Sequence, residues 1–194
     1  TMRAAGSSKY QDKWGYFPSV CASWVISEES WMKNQSIIDY LKVRASWGKL
    51  GNDHVAASDG FASISTGNSA SGVFGNTVFP GYQNNTYFSW LQWEVVDEIN
   101  AGFNLSTLQG HLNIDADYFH RMTKHAVISP LVSFENKSLA GNYGKILNEG
   151  LDFSMTWNDR IGKDFKYHAG VNMSFLRNKV KNLGGANIIN GGKT

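Results

Sequence analysis

The chain has 194 residues, 42% of them hydrophobic, with a formal net charge of +2 and a slightly negative mean hydropathy. So small a charge supplies no basic surface for nucleic acid, and no segment approaches the ~20 consecutive apolar residues of a membrane helix. Cys21 is the single cysteine, which excludes an internal disulfide and a cysteine-rich metal site.

What remains is a chain of alternating strands. Tyr16, Pro18, Val20, Ala22, Trp24 and Ile26 alternate with Phe17, Ser19, Cys21, Ser23 and Val25. Period two places successive side chains on opposite faces, so each strand meets two different solvents. A short additional strand is expected over Thr1–Ala4. The segment Glu28–Tyr40 has helical character, with Trp31, Ile37, Ile38 and Leu41 among acids and lysine, and a short helix or turn is expected there. Alternation resumes at Leu41, Val43, Ala45 and Trp47 against Lys42, Arg44, Ser46 and Gly48.

The stretch Gly51–Trp90, rich in Gly, Ser and Asn, reads as a long loop. Within it Phe61–Thr66 and Val73–Phe79 are expected to pair as a small hairpin. Trp93–Arg121 is the clearest pattern in the chain. Trp93, Val95, Asp97, Ile99, Ala101, Phe103 and Leu105 oppose Glu94, Val96, Glu98, Asn100, Gly102 and Asn104, and after Ser106–Gly110 the alternation restarts through Leu112, Ile114, Ala116 and Tyr118. Beyond a second long connection, Lys124–Lys145, come a strand from Leu147 to Trp157, a short turn over Asn158–Asp164, and a strand from Phe165 to Phe175.

Six full strands of this kind describe an antiparallel transmembrane β-barrel wall. Barrel strands hide their apolar residues at alternate positions and need only about 9 to 11 residues to cross. Short connections alternating with long ones fit periplasmic turns and extracellular loops. The tryptophans support this by falling at strand ends, Trp24 and Trp157 at one interface and Trp14, Trp47 and Trp93 at the other, with mostly smaller apolar residues between them. Six strands are too few to enclose a nutrient-sized lumen, so the whole chain, residues 1–194, is expected to be part of one larger barrel domain, with plug and signal peptide outside it.

Motifs along the chain carry a family resemblance. Trp14-Gly15-Tyr16-Phe17-Pro18-Ser19-Val20 with Ser27-Glu28-Glu29, Leu41-Lys42-Val43-Arg44-Ala45-Ser46-Trp47-Gly48 with Gly51-Asn52, and Trp93-Glu94 occur in order. They are followed by Asp117-Tyr118-Phe119 with Arg121 and Thr123, by Asn142, Gly144, Asn148, Gly150, Leu151 and Asp152, and by Asn172, Ser174, Asn178 and Val180. Together these resemble the C-terminal barrel of SusC/RagA-type TonB-dependent outer-membrane transporters, nutrient importers of Bacteroidota-like bacteria. Departures fall at loop edges, where Tyr87–Gln92 lacks the family's Asn-Pro pair and His125 stands where an acid is common.

The resemblance implies six strands of a 22-stranded, plugged barrel in the outer membrane. It also implies active import of a nutrient, an oligosaccharide in the first place or a peptide, with TonB and a SusD-like surface lipoprotein as partners. An enzyme is not expected. Asp115 with Asp117, and Glu94 with Glu98, share strand faces as a glycosidase pair would, but a lumen face is polar in any case. Scattered histidines give no metal spacing, and no cofactor motif is present. The candidate ligand contacts are Phe74, Phe79, Tyr82, Asn84, Asn85 and Tyr87, since aromatic faces and side-chain amides suit glycans. The alternatives are a soluble all-β carbohydrate-binding module or glycoside hydrolase domain, whose apolar parity would be buried in a sandwich, and a surface adhesin or autotransporter barrel.

Overall fold

A computed structural model describes residues 1–54, 64–84, 91–128, 131–132, 137–138 and 141–183. In chain order its strands are β1 (Met2–Gly6), β2 (Trp14–Val25), β3 (Ile38–Asn52), β4 (Ile64–Phe74), β5 (Thr77–Asn84), β6 (Glu94–Thr107), β7 (Leu112–Ile128), β8 (Leu131–Val132), β9 (Lys137–Ser138), β10 (Gly141–Ile161) and β11 (Phe165–Leu183). Seven of them form one antiparallel sheet in the order β1-β2-β3-β6-β7-β10-β11, and β4-β5 and β8-β9 are separate two-stranded ribbons. The six full strands and the short leading one stand where the alternation puts them.

The strands outrun their apolar cores, so the turns are tighter than the sequence suggests. Ser106 and Thr107 complete β6, and the reversal uses Leu108, Gln109 and Gly110, all at positive φ. The expected Asn158–Asp164 connection shrinks to a turn that starts at Gly162, φ +68°, because Asn158–Ile161 pair with β11. Of the short helix or turn expected over Glu28–Tyr40, the turn forms: one 3-10 turn, Ile26–Glu28, followed by hydrogen-bonded turns. So short a connection is marginal for an α-helix. The Gln35 carboxamide instead accepts from the backbone N–H groups of Ile37 and Ile38, each at 2.7 Å, and starts β3.

Register builds continuous cross-strand rows on each face. On the outward face Trp24, Val43, Phe103, Ala116, Phe153 and Met173 face one another in sequence, and the next row is Ala22, Ala45, Ala101, Tyr118, Leu151 and Phe175. In the second row side chains are small on β2, β3 and β6 and large on β7, β10 and β11, so the expectation of mostly small residues at mid-strand holds there for one half of the wall. Along β11 the outward positions run from Phe165 to Phe175. At about 3.3 Å per residue and a tilt of about 40° this rises roughly 25 Å, the height of a barrel's apolar band.

No second layer covers these rows among the described residues. Val20, Trp24, Trp47, Ile99, Phe103, Tyr118, Leu151, Met155, Val171, Met173 and Phe175 are 37–62% exposed. The buried hydrophobics are Tyr10, Phe17, Leu91, Trp93, Ala126 and Leu147, none of which belongs to a sandwich interior between two sheets. An apolar expanse of this extent on a single sheet marks an interaction surface. The chain is a segment of a larger barrel wall.

At the end of the sheet β11 offers 19 residues of backbone whose outer side has no strand partner among the described residues. In hydrocarbon each unpaired donor or acceptor costs several kcal/mol. We therefore expect the isolated chain to sediment as aggregate in buffer and to disperse only in detergent. A monodisperse monomer with a cooperative melt in plain buffer, by analytical ultracentrifugation and calorimetry, would contradict the barrel-wall account.

Candidate functional site

The face opposite the apolar rows is a hydrogen-bonded polar wall, and its centre is Arg44. In the register Arg44 stands opposite Gly102, Gly102 opposite Asp117, and Asp117 opposite Asp152. The guanidinium donates from Nε to Asp117 Oδ1 at 3.1 Å and from Nη2 to Asp115 Oδ1 at 2.8 Å, with further bonds to Asp117 Oδ2 and Asn104 Oδ1. Asn104 in turn donates to the second oxygen of Asp115.

This hub spans three strands because the residue in the middle is glycine. A Cβ on Gly102 would overlap Asp117 Oδ1 and lie 2.7 Å from the carbonyl oxygen of Ala116. Asp115 and Asp117 are thereby committed to Arg44. Both share one cation and point along the wall, so they do not form the separated acid and base that glycoside hydrolysis needs.

A second pair lies two rows over, beyond Asn100 and Phe119. Arg121 donates from Nη2 to Glu98 Oε1 at 3.0 Å, with its Nε 3.0 Å from Oε2, and Asn100 donates to Glu98 Oε1 at 2.7 Å. The Arg121 guanidinium also sits 5.3 Å from the centroid of the Phe119 ring, which lies over Gly150. Ser174 Oγ donates to Asp152 and Asn178 Nδ2 to Asn148, each at 2.5 Å. Between these groups is a hollow of about 550 Å³ lined by Ser23, Lys42, Arg44, Asn100, Phe119 and Arg121 among others. Chemically it offers the paired charges of Arg44 and Arg121, the Lys42 ammonium, amides, and one flat aromatic face. Cys21 is exposed at its edge. No group of three metal-ligating side chains occurs among the described residues.

At the rim that carries the longer connections, an aromatic cluster ties loop bases together. Tyr10 and Trp93 rings lie 4.6 Å apart, and Phe17 meets Trp93 edge-on at 5.6 Å. Trp93 Nε1 donates to Asp12 O at 2.9 Å, Tyr10 Oη to Asn52 O at 3.1 Å, and Gln11 N to Leu91 O at 3.1 Å. Burial, with the charges of Asp53 and Glu94, raises the Tyr10 phenol above its ordinary value, which keeps it a donor. Asn142 adds a bridge, bonded to both backbone groups of Gln92 and to the carbonyl of His125.

Trp93 is thus a correction to its expected place in an interface belt. It is 8% exposed because the loop after β1 folds over it and supplies an acceptor for its indole N–H. The sequence hint lies in Gly15 and Gly51, whose missing side chains make room for Phe17 and Trp93. Trp14, Trp24 and Trp47 do remain on the surface, and Trp24 Nε1 donates to Glu29 at 2.7 Å, which holds its polar edge at the rim.

Of the expected ligand contacts, the structure brings two side chains together. Phe74 and Phe79 stand on one face of the β4-β5 hairpin, edge-to-face at 5.8 Å, and are 75% and 51% exposed. Gly75, at φ +62°, makes their turn. Tyr82 and Asn84 are placed in β5 by backbone only, and Asn85 and Tyr87 lie outside the described residues. The expected pairing of Phe61–Thr66 with Val73–Phe79 is corrected: Ile64–Phe74 is a single strand that turns at Gly75 and pairs with Thr77–Asn84, while Phe61 lies outside the described residues.

No family model matches the sequence. Relatives do. The TonB-dependent receptor SusC of Bacteroides thetaiotaomicron is 28% identical over 192 residues, covering 95% of this chain and 19% of that protein. Two TonB-dependent receptors of Formosa agariphila are 27% identical over 195 residues and 29% over 187, with 96% and 94% of this chain covered against 19% and 18% of theirs. The family that the chain resembles is the SusC/RagA-type TonB-dependent receptors. Its sheet superposes on the RagAB peptide importer in the closed-closed state with a TM-score of 0.80 at 21% identity, covering 94% of this chain and 20% of that one, and equally well on the open-open state. The chain spans about a fifth of the length of these relatives. They are receptors and transporters, and a soluble glycan-binding or hydrolase module is not favoured by any of them.

Exchanging Gly102 for valine would push Asp117 off Arg44. Overpacking of this kind costs about 1–3 kcal/mol, so in the full-length protein we expect the folded gel band to convert to the unfolded one at a lower temperature than wild type. An unchanged transition would show that Arg44 does not depend on the gap.

Proposed function

We propose that the chain forms part of the wall of an outer-membrane TonB-dependent importer and that the cargo is an oligosaccharide. The observation that carries this reading is the division of the sheet into an outward face of exposed apolar rows and an inward face of paired charges and amides. Lipid takes the first and an aqueous, plug-filled lumen the second. The rim with the 53–93 and 129–140 connections is then extracellular, and that with the tight turns at Leu108–Gly110 and from Gly162 periplasmic.

In this mechanism a plug held against the inward wall closes the lumen, and TonB, drawing on the inner-membrane proton gradient, displaces it. A SusD-like surface lipoprotein caps the extracellular rim and delivers ligand. The wall's part is to stay rigid while the plug moves. Arg44 and Arg121, each bound to its carboxylates within the wall, keep the inward face ordered.

The extracellular hairpin supplies the ligand-facing chemistry. Phe74 and Phe79 present adjoining apolar ring faces, and Tyr82, Asn84, Asn85 and Tyr87 belong to the same loop. Stacking against sugar rings and amide hydrogen bonding suit a neutral oligosaccharide.

The test is growth of a strain whose only copy of the gene encodes Phe74→Ser with Phe79→Ser, on a panel of oligosaccharides and peptides. We expect wild-type protein to support TonB-dependent use of at least one oligosaccharide, and the double variant to reach the outer membrane in normal amount but bind that sugar about 10-fold or more weakly. Growth dependence on peptides alone would overturn the cargo assignment. Full growth of a deletion strain on every substrate would overturn the importer reading.

A further inference from the structure

Above the apolar band the outward face becomes cationic. The row Trp47, Ile99, His120, Glu149 and Arg177 is followed by Lys49, Asp97, Met122, Leu147 and Lys179, and then by Val95, Lys124 and Lys145. The carboxylates in these rows are Asp97 and Glu149. Lys124 binds Asp97, which Lys49 approaches at 3.9 Å. Glu149 is shared between His120 and Arg177, each at 3.6 Å. Lys145 and Lys179 have no ion-pair partner among the described residues.

Two features of this patch are unfavourable for a surface facing only water. Lys124 and Lys145 stand directly opposite each other, and like charges so placed destabilise a sheet. Lys145 and Lys179 flank Leu147 from its own strand and from the neighbouring one, and Leu147 is only 5% exposed. The register shifts at a bulge between Lys145 and Ile146, which sets Lys145 opposite Asn182, and Lys145 and Lys179 stand on the same outward face of adjacent strands on either side of Leu147. Below this row comes the Glu149–Arg177 pair, and below that Leu151 and Phe175, where the exposed apolar rows begin.

We propose that this patch binds the phosphorylated headgroup of a lipid in the outer leaflet, with Lys145 and Lys179 on the phosphate and the acyl chains lying over Leu151 and Phe175. Continuity with the apolar band selects a lipid over a free anion, because the same molecule satisfies both surfaces. The assignment rests on the reading of the outward face as lipid-facing. Basic residues beside an anionic lipid surface contribute about 1 kcal/mol each, so loss of two weakens binding roughly 30-fold.

The test uses the full-length protein purified from outer membranes, titrated with phosphorylated lipid A or its dephosphorylated form and read by native mass spectrometry. Wild type is expected to retain the phosphorylated form selectively. Lys145→Gln with Lys179→Gln should bind it roughly 30-fold more weakly, Lys145→Arg with Lys179→Arg should bind as wild type, and millimolar inorganic phosphate should not displace it. Equal binding by the glutamine variant, or equal binding of the two lipid forms, overturns the proposal. Displacement by inorganic phosphate does so too, since it marks a free-anion site. Recovery of wild-type protein in the soluble fraction would refute the membrane reading itself, whereas a lipid-blind protein in the outer membrane refutes this site alone.

Discussion

Every backbone donor and acceptor must find a partner inside hydrocarbon, and the rest of this structure depends on meeting that demand. Antiparallel pairing with a neighbour on each side does so for the inner strands β3, β6, β7 and β10 without any core. The side chains are then free to serve two media at once. Phe103 and Asn104 are neighbours in sequence, yet one belongs to an apolar row and the other to the Arg44 network. A one-residue slip of any strand would exchange them, so register is fixed by both faces together.

The inward wall shows how polarity is kept orderly. Charges are bound to one another across strands, and glycines sit where a long side chain must cross to its partner or an aromatic ring must lie flat. Gly102 under Asp117 and Gly150 under Phe119 are the two clear cases. Rigidity at the rim has another origin, the Tyr10, Phe17, Leu91 and Trp93 cluster, the largest buried group in the described chain. It fixes where the loops leave the sheet while their outer parts carry the exposed Phe74 and Phe79.

Much of this was legible in the sequence because strict alternation has a single structural reading. The period-two runs around Val43, Phe103, Ile114 and Phe153 gave strand, face and neighbour order alike. What the sequence hid was local and three-dimensional. Trp93 looks like an interface residue until the loop holding Tyr10 and Asp12 is seen to cover it. Arg44 reads as one more polar-parity residue, and its role emerges only when register sets Gly102 and Asp117 beside it. Glu28–Tyr40 left helix and turn both open, and the turn forms because a few apolar residues at near-helical spacing cannot offset the cost of nucleating a helix in so short a link. Among the candidate ligand contacts, residue chemistry singled out Phe74 and Phe79 but could not say that their rings would meet.

The central claim is that lipid covers the odd-numbered face of β6. Nitroxide labels placed singly at Ile99, Asn100, Ala101, Phe103, Asn104 and Leu105 of the full-length protein, with Cys21 replaced by serine, test it in a bilayer by collision with oxygen and with a water-soluble nickel chelate. The account predicts oxygen collisions dominating at 99, 101, 103 and 105 and chelate collisions or immobilisation at 100 and 104. Equal accessibility at both parities, or chelate collisions at Phe103 in mid-strand, would contradict it.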